Sequence, residues 1–377
     1  MSLFKRASKL SPDEYQEAID KGLNRAFEDA KRDTVDISAL KVVVFSDLHR
    51  GARDRADDFE RCERAYSAAL GWYLEQRFAL YLLGDIEELW ENAVKEVLPE
   101  YTAVLQLEKD FATGPGLRRF YGNHDLDWSQ PKRVAKNLAE WLPGLEVAEA
   151  LRLRVLDDTN EAGLLFFVHG HQGTSMSERW AWLSRLVLRY VWRAIQRTQG
   201  WLSTTPAESL DLRHKHDIAM NNWVQQRVLG AAKAERPVLI AGHTHHPVFP
   251  GKPPKRPGSS DEAELRERLE RERDDAQRRT LRAELELVRA RLREDSYDPP
   301  LIDPPCYFNS GCCCFPDRDV TCLEISGERL EDVSMNDEHD GRGKIRLMRW
   351  LNDQAEPRPK QLAALPLRDV FQRVAAT

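Results

Sequence analysis

Seven side chains along this chain carry oxygen or nitrogen donors just after apolar runs of strand length. They are Asp47, His49, Asp85, Asn123, His169, His243 and His245. Carboxylate oxygens and neutral imidazole nitrogens are common ligands of manganese, iron and zinc ions in proteins. Seven donors exceed one tetrahedral site, but they suffice for two ions of five or six coordination that share a carboxylate. Because the set contains no thiolate, it does not indicate a structural zinc site.

These donors follow a repeated pattern along the chain. The apolar runs cover residues 41–45, 79–83, 117–121, 164–168 and 238–241, and each is followed within two residues by Asp, Asn or His. Taken alone, the pair Asp47 and His49 is more typical of a solvated turn than of a metal site. Side chains converge where buried parallel strands end. Five such junctions in order therefore predict one shared site.

Strands that alternate with helices indicate an α/β domain in which helices cover the sheet faces. Ser11 and Glu14 have the spacing of a capping box, with Pro12 as the first helical residue of a helix over 10–31. A further helix is predicted from Glu88 to about Phe111. Later strands are predicted at 306–309, 320–325 and 345–350, and the remainder is interpreted as a tail.

Composition excludes several broad classes of protein. The chain has 377 residues, is 41% hydrophobic and 31% charged, and has a net charge of -6. This balance is typical of a globular protein, and it gives no surplus of positive charge for binding long nucleic acid. The first residues contain no apolar segment of signal-peptide length, and no stretch has the length of a membrane span. A cytoplasmic location is therefore expected.

The six cysteines match neither a zinc-binding spacing nor a spaced disulfide framework. Three of them are adjacent, Cys312 to Cys314, in an apolar segment. They are interpreted as reduced cysteines buried in a strand.

The ordered motifs resemble those of the calcineurin-like metallophosphoesterase superfamily over roughly residues 41–250. The motifs are Asp47-x-His49, Gly84-Asp85, Gly122-Asn123-His124-Asp125, His169 and Gly242-His243-x-His245, and Asn309-Ser-Gly311 is similar to the strand that follows them in the family. The resemblance implies an α/β (α+β) fold of two packed mixed β-sheets flanked by helices, in four layers. It also implies that a first divalent ion is held by Asp47, His49, Asp85 and His245, and a second by Asp85 (bridging), Asn123, His169 and His243. Manganese is favoured for the pair, with iron, zinc or magnesium as alternatives.

The resemblance further implies a hydrolase that cleaves a phosphoester or pyrophosphate bond by in-line attack of a hydroxide bridging the two ions. His124 is a candidate to donate a proton to the leaving oxygen or to stabilise the charged phosphorus centre, and Asp125 could orient it. Arg50 and Arg53 follow the first junction and could contact a substrate phosphate, although each could equally be a surface arginine. His171 and His246 are expected beside the ligands rather than on a metal, and no role is assigned to His214 or His216.

Within the superfamily, Gly84-Asp-Ile-Glu-Glu-Leu-Trp90 resembles a motif of UDP-2,3-diacylglucosamine pyrophosphohydrolases of lipid A synthesis. Those enzymes carry a helical lid at the same point, between the counterparts of His169 and His243. Here residues 176–199 predict a broadly apolar helix with a basic stripe, formed by Arg185, Arg189, Arg193 and Arg197. Such a helix could hold acyl chains, contact an anionic membrane surface, or simply pack on the domain. His124 is a departure, because those enzymes often have Arg at that position.

The predicted organisation has three parts. Residues 1–40 form an N-terminal helical arm, residues 41–330 form the catalytic domain, and residues 331–377 form a C-terminal extension. The catalytic domain includes a helical lid insert at 175–230 and a charged helical insert at 251–300, whose protein partner the sequence does not name. The expected substrate is a lipid-linked or nucleotide diphosphate such as UDP-diacylglucosamine. The alternatives are a phosphodiesterase for nucleotides or small diesters and, more remotely, a non-catalytic scaffold.

Overall fold

The computed structural model describes residues 11–54, 57–173, 210–250, 302–328, 343–353 and 355–377, together with separate residues between 265 and 285. Within these residues, the strands are β1 (Lys31–Asp36), β2 (Lys41–Phe45), β3 (Ala79–Leu83), β4 (Leu117–Phe120), β5 (Val147–Ala148), β6 (Ala150–Asp157), β7 (Asn160–Val168), β8 (Pro237–Ala241), β9 (Tyr307–Asn309), β10 (Val320–Ser326), β11 (Lys344–Leu351) and β12 (Arg358–Pro366). The α-helices are α1 (Pro12–Asp29), α2 (Glu63–Glu75), α3 (Val94–Val97), α4 (Thr102–Thr113), α5 (Pro131–Asn137), α6 (Leu210–Gly230) and α7 (Leu367–Ala376).

The strands form two mixed sheets. The first has the order β1-β6-β7-β8-β9, and the second has the order β12-β11-β10-β2-β3-β4-β5. Strands β2 to β5 run parallel to one another, as do β7 to β9, whereas β10 to β12 and the pair β6 and β7 are antiparallel. The expected fold of two mixed sheets flanked by helices is confirmed.

Alternation along β2 shows how the layers are stacked. Val42 and Val44 belong to a core shared with the first sheet, with α1 and with α6. Val43 and Phe45 point the other way and belong to a second core, which includes residues of α2 and α4. Because successive side chains of a strand face opposite sides of the sheet, an apolar run without alternation is required for a strand buried on both faces.

The predicted start of the first helix is confirmed in detail. The backbone N–H of Glu14 donates to Ser11 Oγ, the N–H of Ser11 donates to the Glu14 carboxylate, and Pro12 opens the helix. The C-terminal part of the predicted lid insert, residues Leu210–Gly230, forms the helix α6. It packs against α1 and the first sheet through Trp223, whose ring contacts Phe27 and Phe166.

Three segments differ from the sequence predictions. Residues Lys31–Asp36 form an edge strand paired with β6, and neither strand of this pair was predicted. The prediction that the residues after 350 form a tail is wrong. Strand β12 pairs with β11, and helix α7 buries Leu367, Val370, Phe371 and Val374. The helix predicted from Glu88 is also wrong at its start, since regular helix begins only at Val94. The domain boundaries themselves stay predictions.

Two predicted inserts are described only in part. The helix predicted at residues 176–199, with its basic stripe, lies outside the described residues. In the charged insert, the described Leu265, Leu281 and Leu285 form a small buried cluster with Leu269 packed against it. No helix in the described part of the chain is long and apolar enough to cross a membrane.

Candidate metal centre

The predicted donor residues meet where strands of both sheets end. Asp47 and His49 follow β2, Asp85 follows β3 and Asn123 follows β4, all in the second sheet. His169 follows β7, and His243 and His245 follow β8, in the first sheet. The two sheets therefore bring all seven residues to one region, as the sequence pattern predicts.

The backbone at these junctions is held in an unusual conformation. Asp47, His49, Asp85, His243 and His245 all have φ between 52° and 72°, in the left-handed region. Non-glycine residues rarely adopt this conformation, which costs free energy and persists only where the surroundings impose it. Five such residues at one site indicate that their side-chain directions are fixed for function.

One group of donors is formed by Asp47, His49 and His245, whose ligand atoms all lie within 4.8 Å of one another. His245 Nε2 is 3.3 Å from Asp47 Oδ1 and 3.1 Å from His49 Nε2. His49 Nε2 is also 3.9 Å from Asp85 Oδ2. Donors about 2.1 Å from one ion lie roughly 3 to 3.5 Å apart, so these side chains could hold one divalent ion.

A second group is formed by Asp85, His169 and His243, whose ligand atoms again lie within 4.8 Å of one another. His169 Nε2 is 3.1 Å from Asp85 Oδ2 and 4.0 Å from Asp47 Oδ1. Asp85 is thus near the donors of both groups, which is the position that a bridging carboxylate requires.

Among the described residues, three of the predicted ligands each have a buried side-chain atom with no hydrogen-bond partner. These atoms are Asp47 Oδ1, Asn123 Oδ1 and His169 Nε2. An unpaired polar atom in the interior costs free energy unless something satisfies it. All three belong to predicted ligands, and a shared cation would satisfy each of them. The residues present therefore fit a divalent metal centre.

Gly122 is needed because the strand tips approach so closely. A Cβ atom at this position would lie 2.1 Å from Asp85 Oδ1 and 2.7 Å from the His169 ring. Both contacts are shorter than the van der Waals distance, so any side chain here would displace two predicted ligands.

The charge state of the histidines suits cation binding. Burial, together with the neighbouring His216 and His49 respectively, holds the pKa of His243 and of His245 well below the ordinary value, so both rings are neutral. Burial opposes protonation of His169 as well, but the charges of Asp85 and Asp47 raise its pKa to about 9. The negative field that favours a proton on this ring equally favours a metal ion in its place.

Glu88 connects a predicted ligand with the predicted proton donor. Its Oε2 lies 3.0 Å from His49 Nδ1 and 2.6 Å from His124 Nδ1. Burial alone would lower the pKa of His124, but the charges of Glu88 and Asp85 raise it to about 9. The ring therefore carries a proton at neutral pH. Glu88 lies within the stretch Gly84–Trp90, but its place beside the two histidines is not indicated by the local sequence.

Trp90 fixes the other face of the proton donor. Its indole stacks on the His124 ring, with centroids 4.0 Å apart and planes inclined by 16°. Its Nε1–H donates to the backbone carbonyl of Asn123 at 2.6 Å. Trp90 thus holds both His124 and the loop that carries a predicted ligand.

Asp125 does not have the role predicted for it. Its buried carboxylate accepts hydrogen bonds from the backbone N–H groups of Gly122, Asp85 and Ile86. These bonds tie the β3 and β4 junctions together. The prediction that Asp125 orients His124 is therefore wrong, because Glu88 occupies that position.

Arg50 is also misassigned as a substrate contact. Its side chain is only 1% exposed, and Nη2 lies 2.7 Å from Glu108 and 3.3 Å from Glu87. Such a side chain holds the interior together and cannot reach a substrate. Arg53 is bound to Glu63 and to the backbone carbonyl of Glu100. A contact between Arg53 and substrate stays a prediction.

Helix α6 contributes residues that sequence reasoning missed. His216 is buried, with Nε2 2.6 Å from the carbonyl of Gly170 and its ring 4.9 Å from that of His243. Its neighbour Asp217 accepts hydrogen bonds from Thr244 Oγ1 and Tyr307 OH. Local sequence offers no signal for these contacts, because the partners of His216 and Asp217 lie between 27 and 201 positions away.

The cysteine prediction is confirmed only in part. All six cysteines are free, and Cys312 and Cys313 are buried, whereas Cys314 is partly exposed. The three lie in the turn between β9 and β10 rather than in a strand. Cys314 Sγ is 3.5 Å from His245 Nδ1, so thiols do lie beside the predicted centre.

His171 is buried beside His169, with ring centroids 5.5 Å apart.

Comparison with protein families matches residues 40–247 to the calcineurin-like phosphoesterase family. This span covers more than half of the chain and contains all seven predicted ligands. A comparison with curated proteins found no match.

Proposed function

The chain belongs to the calcineurin-like phosphoesterase family, and we propose that its dinuclear centre cleaves a diphosphate linked to a lipid or a nucleotide. Membership of the family makes the protein a metal-dependent phosphoester hydrolase. The assignment of individual residues, the metal and the substrate are parts of the proposal.

The proposal assigns the first ion to Asp47, His49, Asp85 and His245. It assigns the second to Asp85, Asn123, His169 and His243. Support comes from the two groups of donor atoms and from the unpaired atoms of Asp47, Asn123 and His169. Mixed oxygen and nitrogen donors allow manganese, iron, zinc or magnesium, and we propose that both ions are manganese. When bound, two divalent ions orient a phosphate group and neutralise charge that develops on its oxygens.

His124 supplies the proton that the leaving oxygen needs. Its protonated ring is 15% exposed and lies at the edge of the centre. Glu88 holds Nδ1, so the other ring nitrogen is available to the leaving group. Stacking on Trp90 limits rotation of the ring. A positioned acid of this kind contributes about 10² to 10⁴ in rate, and the contact between Glu88 and His124 is the observation that carries this part of the proposal.

The substrate class rests on the stretch from Gly84 to Trp90, which resembles the motif of UDP-2,3-diacylglucosamine pyrophosphohydrolases. Three of its residues, Asp85, Glu88 and Trp90, line or support the centre. We also propose that the predicted apolar helix at 176–199 holds acyl chains or contacts the cytoplasmic face of a membrane. A second candidate function is hydrolysis of small phosphodiesters. It is favoured by His124, because UDP-2,3-diacylglucosamine pyrophosphohydrolases often have an arginine at this position.

A substrate panel tests this proposal. The purified protein with added Mn²⁺ is assayed on UDP-diacylglucosamine, a UDP-sugar, bis(4-nitrophenyl) phosphate and 4-nitrophenyl phosphate. We expect the highest kcat/KM for UDP-diacylglucosamine. Hydrolysis of the diester without activity on the UDP-lipid would replace the first candidate by the second. Absence of activity on the whole panel with Mn²⁺, Fe²⁺, Zn²⁺ and Mg²⁺ would contradict both.

A further inference from the structure

Two thiols and an imidazole nitrogen form a separate cluster beside the proposed centre. The ligand atoms of Cys312, Cys314 and His245 all lie within 4.8 Å of one another. Cys314 Sγ is 3.5 Å from Nδ1 of His245. The opposite ring nitrogen, Nε2, is the atom that lies near Asp47 and His49. The ring of His245 therefore stands between two different sets of donors.

The atom beside Nδ1 of His245 differs from those beside Nδ1 of His49 and of His169. His49 has the Glu88 carboxylate at Nδ1, and His169 has the carbonyl of Leu83 at 2.7 Å. Oxygen acceptors of this type usually orient metal-binding histidines. At His245 the position is taken by sulfur, which is itself a strong ligand for soft and borderline cations.

The turn that carries the thiols is held firmly in place. The N–H of Cys313 donates to the carbonyl of Asp47 at 3.1 Å, and the N–H of Thr321 donates to the carbonyl of Cys312. Gly311, at φ 80°, leaves no room for a side chain, because a Cβ atom would lie 2.1 Å from Thr321 Oγ1. A turn fixed in this way presents both thiols without further ordering, which favours binding of a ligand.

Access to the cluster is also available. Cys314 is partly exposed, and the side chain of His245 is 11% exposed, whereas Cys312 is buried behind them. An ion could therefore approach from the side of Cys314. Thiolates and imidazole together suit zinc, cadmium or copper(I), and carboxylate-preferring ions such as magnesium would not be held.

We propose that Cys312, Cys314 and Nδ1 of His245 form an accessory site for a thiophilic cation next to the catalytic centre. A neutral imidazole has a single lone pair. An ion bound through Nδ1 and an ion bound through Nε2 therefore compete for His245. Occupation of the accessory site weakens the first catalytic position, so a thiophilic cation inhibits the enzyme. This consequence rests on the proposed function, whereas binding at the thiols does not.

Cadmium titration tests the site directly, because cadmium bound to thiolate gives an ultraviolet charge-transfer absorption that carboxylate and imidazole ligands do not give. The Mn²⁺-loaded protein is titrated with Cd²⁺ in the absence of substrate. We expect the absorption to saturate at one Cd²⁺ per chain. The Cys312→Ser/Cys314→Ser protein should lack it, and the single variant Cys314→Ser, at the more exposed position, should bind Cd²⁺ about tenfold or more weakly.

Cys306→Ala provides the matched control, because Cys306 is a buried thiol in the first core, before β9. It should retain the absorption and its saturation. An absorption that is unchanged in both serine variants, or no saturable absorption in the wild-type protein, would overturn the proposal. If the absorption appears but no phosphoester is hydrolysed, the proposed function fails while the accessory site stands.

Discussion

The carboxylate of Glu88 lies 2.6 Å from Nδ1 of His124, and the same oxygen lies 3.0 Å from Nδ1 of His49. One buried acid thus supports the predicted proton donor and a predicted metal ligand together. The charge of His124, and its hydrogen bond, outweigh the effect of burial and lower the pKa of Glu88 to about 2. The carboxylate is therefore ionised whenever the enzyme works at neutral pH.

Glu88→Gln should lower kcat by about 10- to 100-fold at saturating Mn²⁺, with a smaller change in KM. The amide is nearly isosteric but carries no charge to hold the proton on His124. Steady-state kinetics measure the effect, with His124→Ala setting the largest loss expected from this pair. Glu140→Gln, at an exposed position, is the control. Equal turnover of Glu88→Gln and the wild type would remove Glu88 from the mechanism.

Arg50→Met should reduce the free energy of unfolding by about 3 to 5 kcal/mol, because it removes the buried counter-charge of Glu108 and one of the two arginines that pair with Glu87. Denaturant unfolding measures this loss. Arg53→Met is the comparison and should cost less than about 1 kcal/mol, since its side chain is 30% exposed. An Arg50→Met protein that is as stable as the wild type and has a raised KM would instead indicate that Arg50 contacts the substrate.

Gly122→Ala should weaken metal binding, because the new methyl group would overlap Asp85 Oδ1 and the His169 ring. Isothermal titration calorimetry with Mn²⁺ measures the affinity. Gly71→Ala is the matched control: Gly71 lies inside α2, and a Cβ atom there meets nothing within 4 Å. That variant should keep its affinity and gain about 0.5 to 1 kcal/mol of stability. Undiminished affinity in Gly122→Ala would contradict the close packing described for the two junctions.

Asp217→Asn should change how stability depends on pH. Burial is the main cause that raises the pKa of Asp217 from 3.8 to about 7. The folded state therefore keeps a proton that the unfolded state releases, and this group lowers stability as pH rises from about 4 to 7. Replacing the carboxyl group should therefore raise the free energy of unfolding of the variant, relative to the wild type, by up to about 4 kcal/mol as the pH rises from about 4 to 7. Unfolding is followed with a chelator present, and a constant difference between the two proteins would refute the prediction.

The meeting of the seven donor residues could be predicted from sequence because they follow β2, β3, β4, β7 and β8. Four of these strands, β2, β3, β7 and β8, are recognisable as continuous runs of apolar residues. Polar residues do not alternate with apolar ones there, because both faces of each strand are buried. The sequence pattern did not indicate strand β12, because its first four residues are exposed and give no apolar run. In α7 the spacing of Leu367, Val370, Phe371 and Val374 was a detectable helical pattern.

The supporting residues were missed for a different reason. Glu88 lies in a loop, and its role depends on two histidines that are 39 and 36 positions away. Asp125 looked like the natural partner of His124 because it is adjacent in sequence, yet its carboxylate turns back to three backbone N–H groups. Hydrogen bonds of this kind depend on tertiary packing, which a local motif does not specify.

The metal content and turnover of Asp85→Ala test the central claim most directly, because Asp85 is the only residue assigned to both ions. Wild-type protein loaded with Mn²⁺ should carry two ions per chain, and the variant should lose bound metal and fall to background hydrolysis. Asp29→Ala, at an exposed position at the end of α1, should match the wild type in both measurements. Full turnover of Asp85→Ala, or two ions retained with unchanged affinity, would contradict a dinuclear centre bridged by this carboxylate.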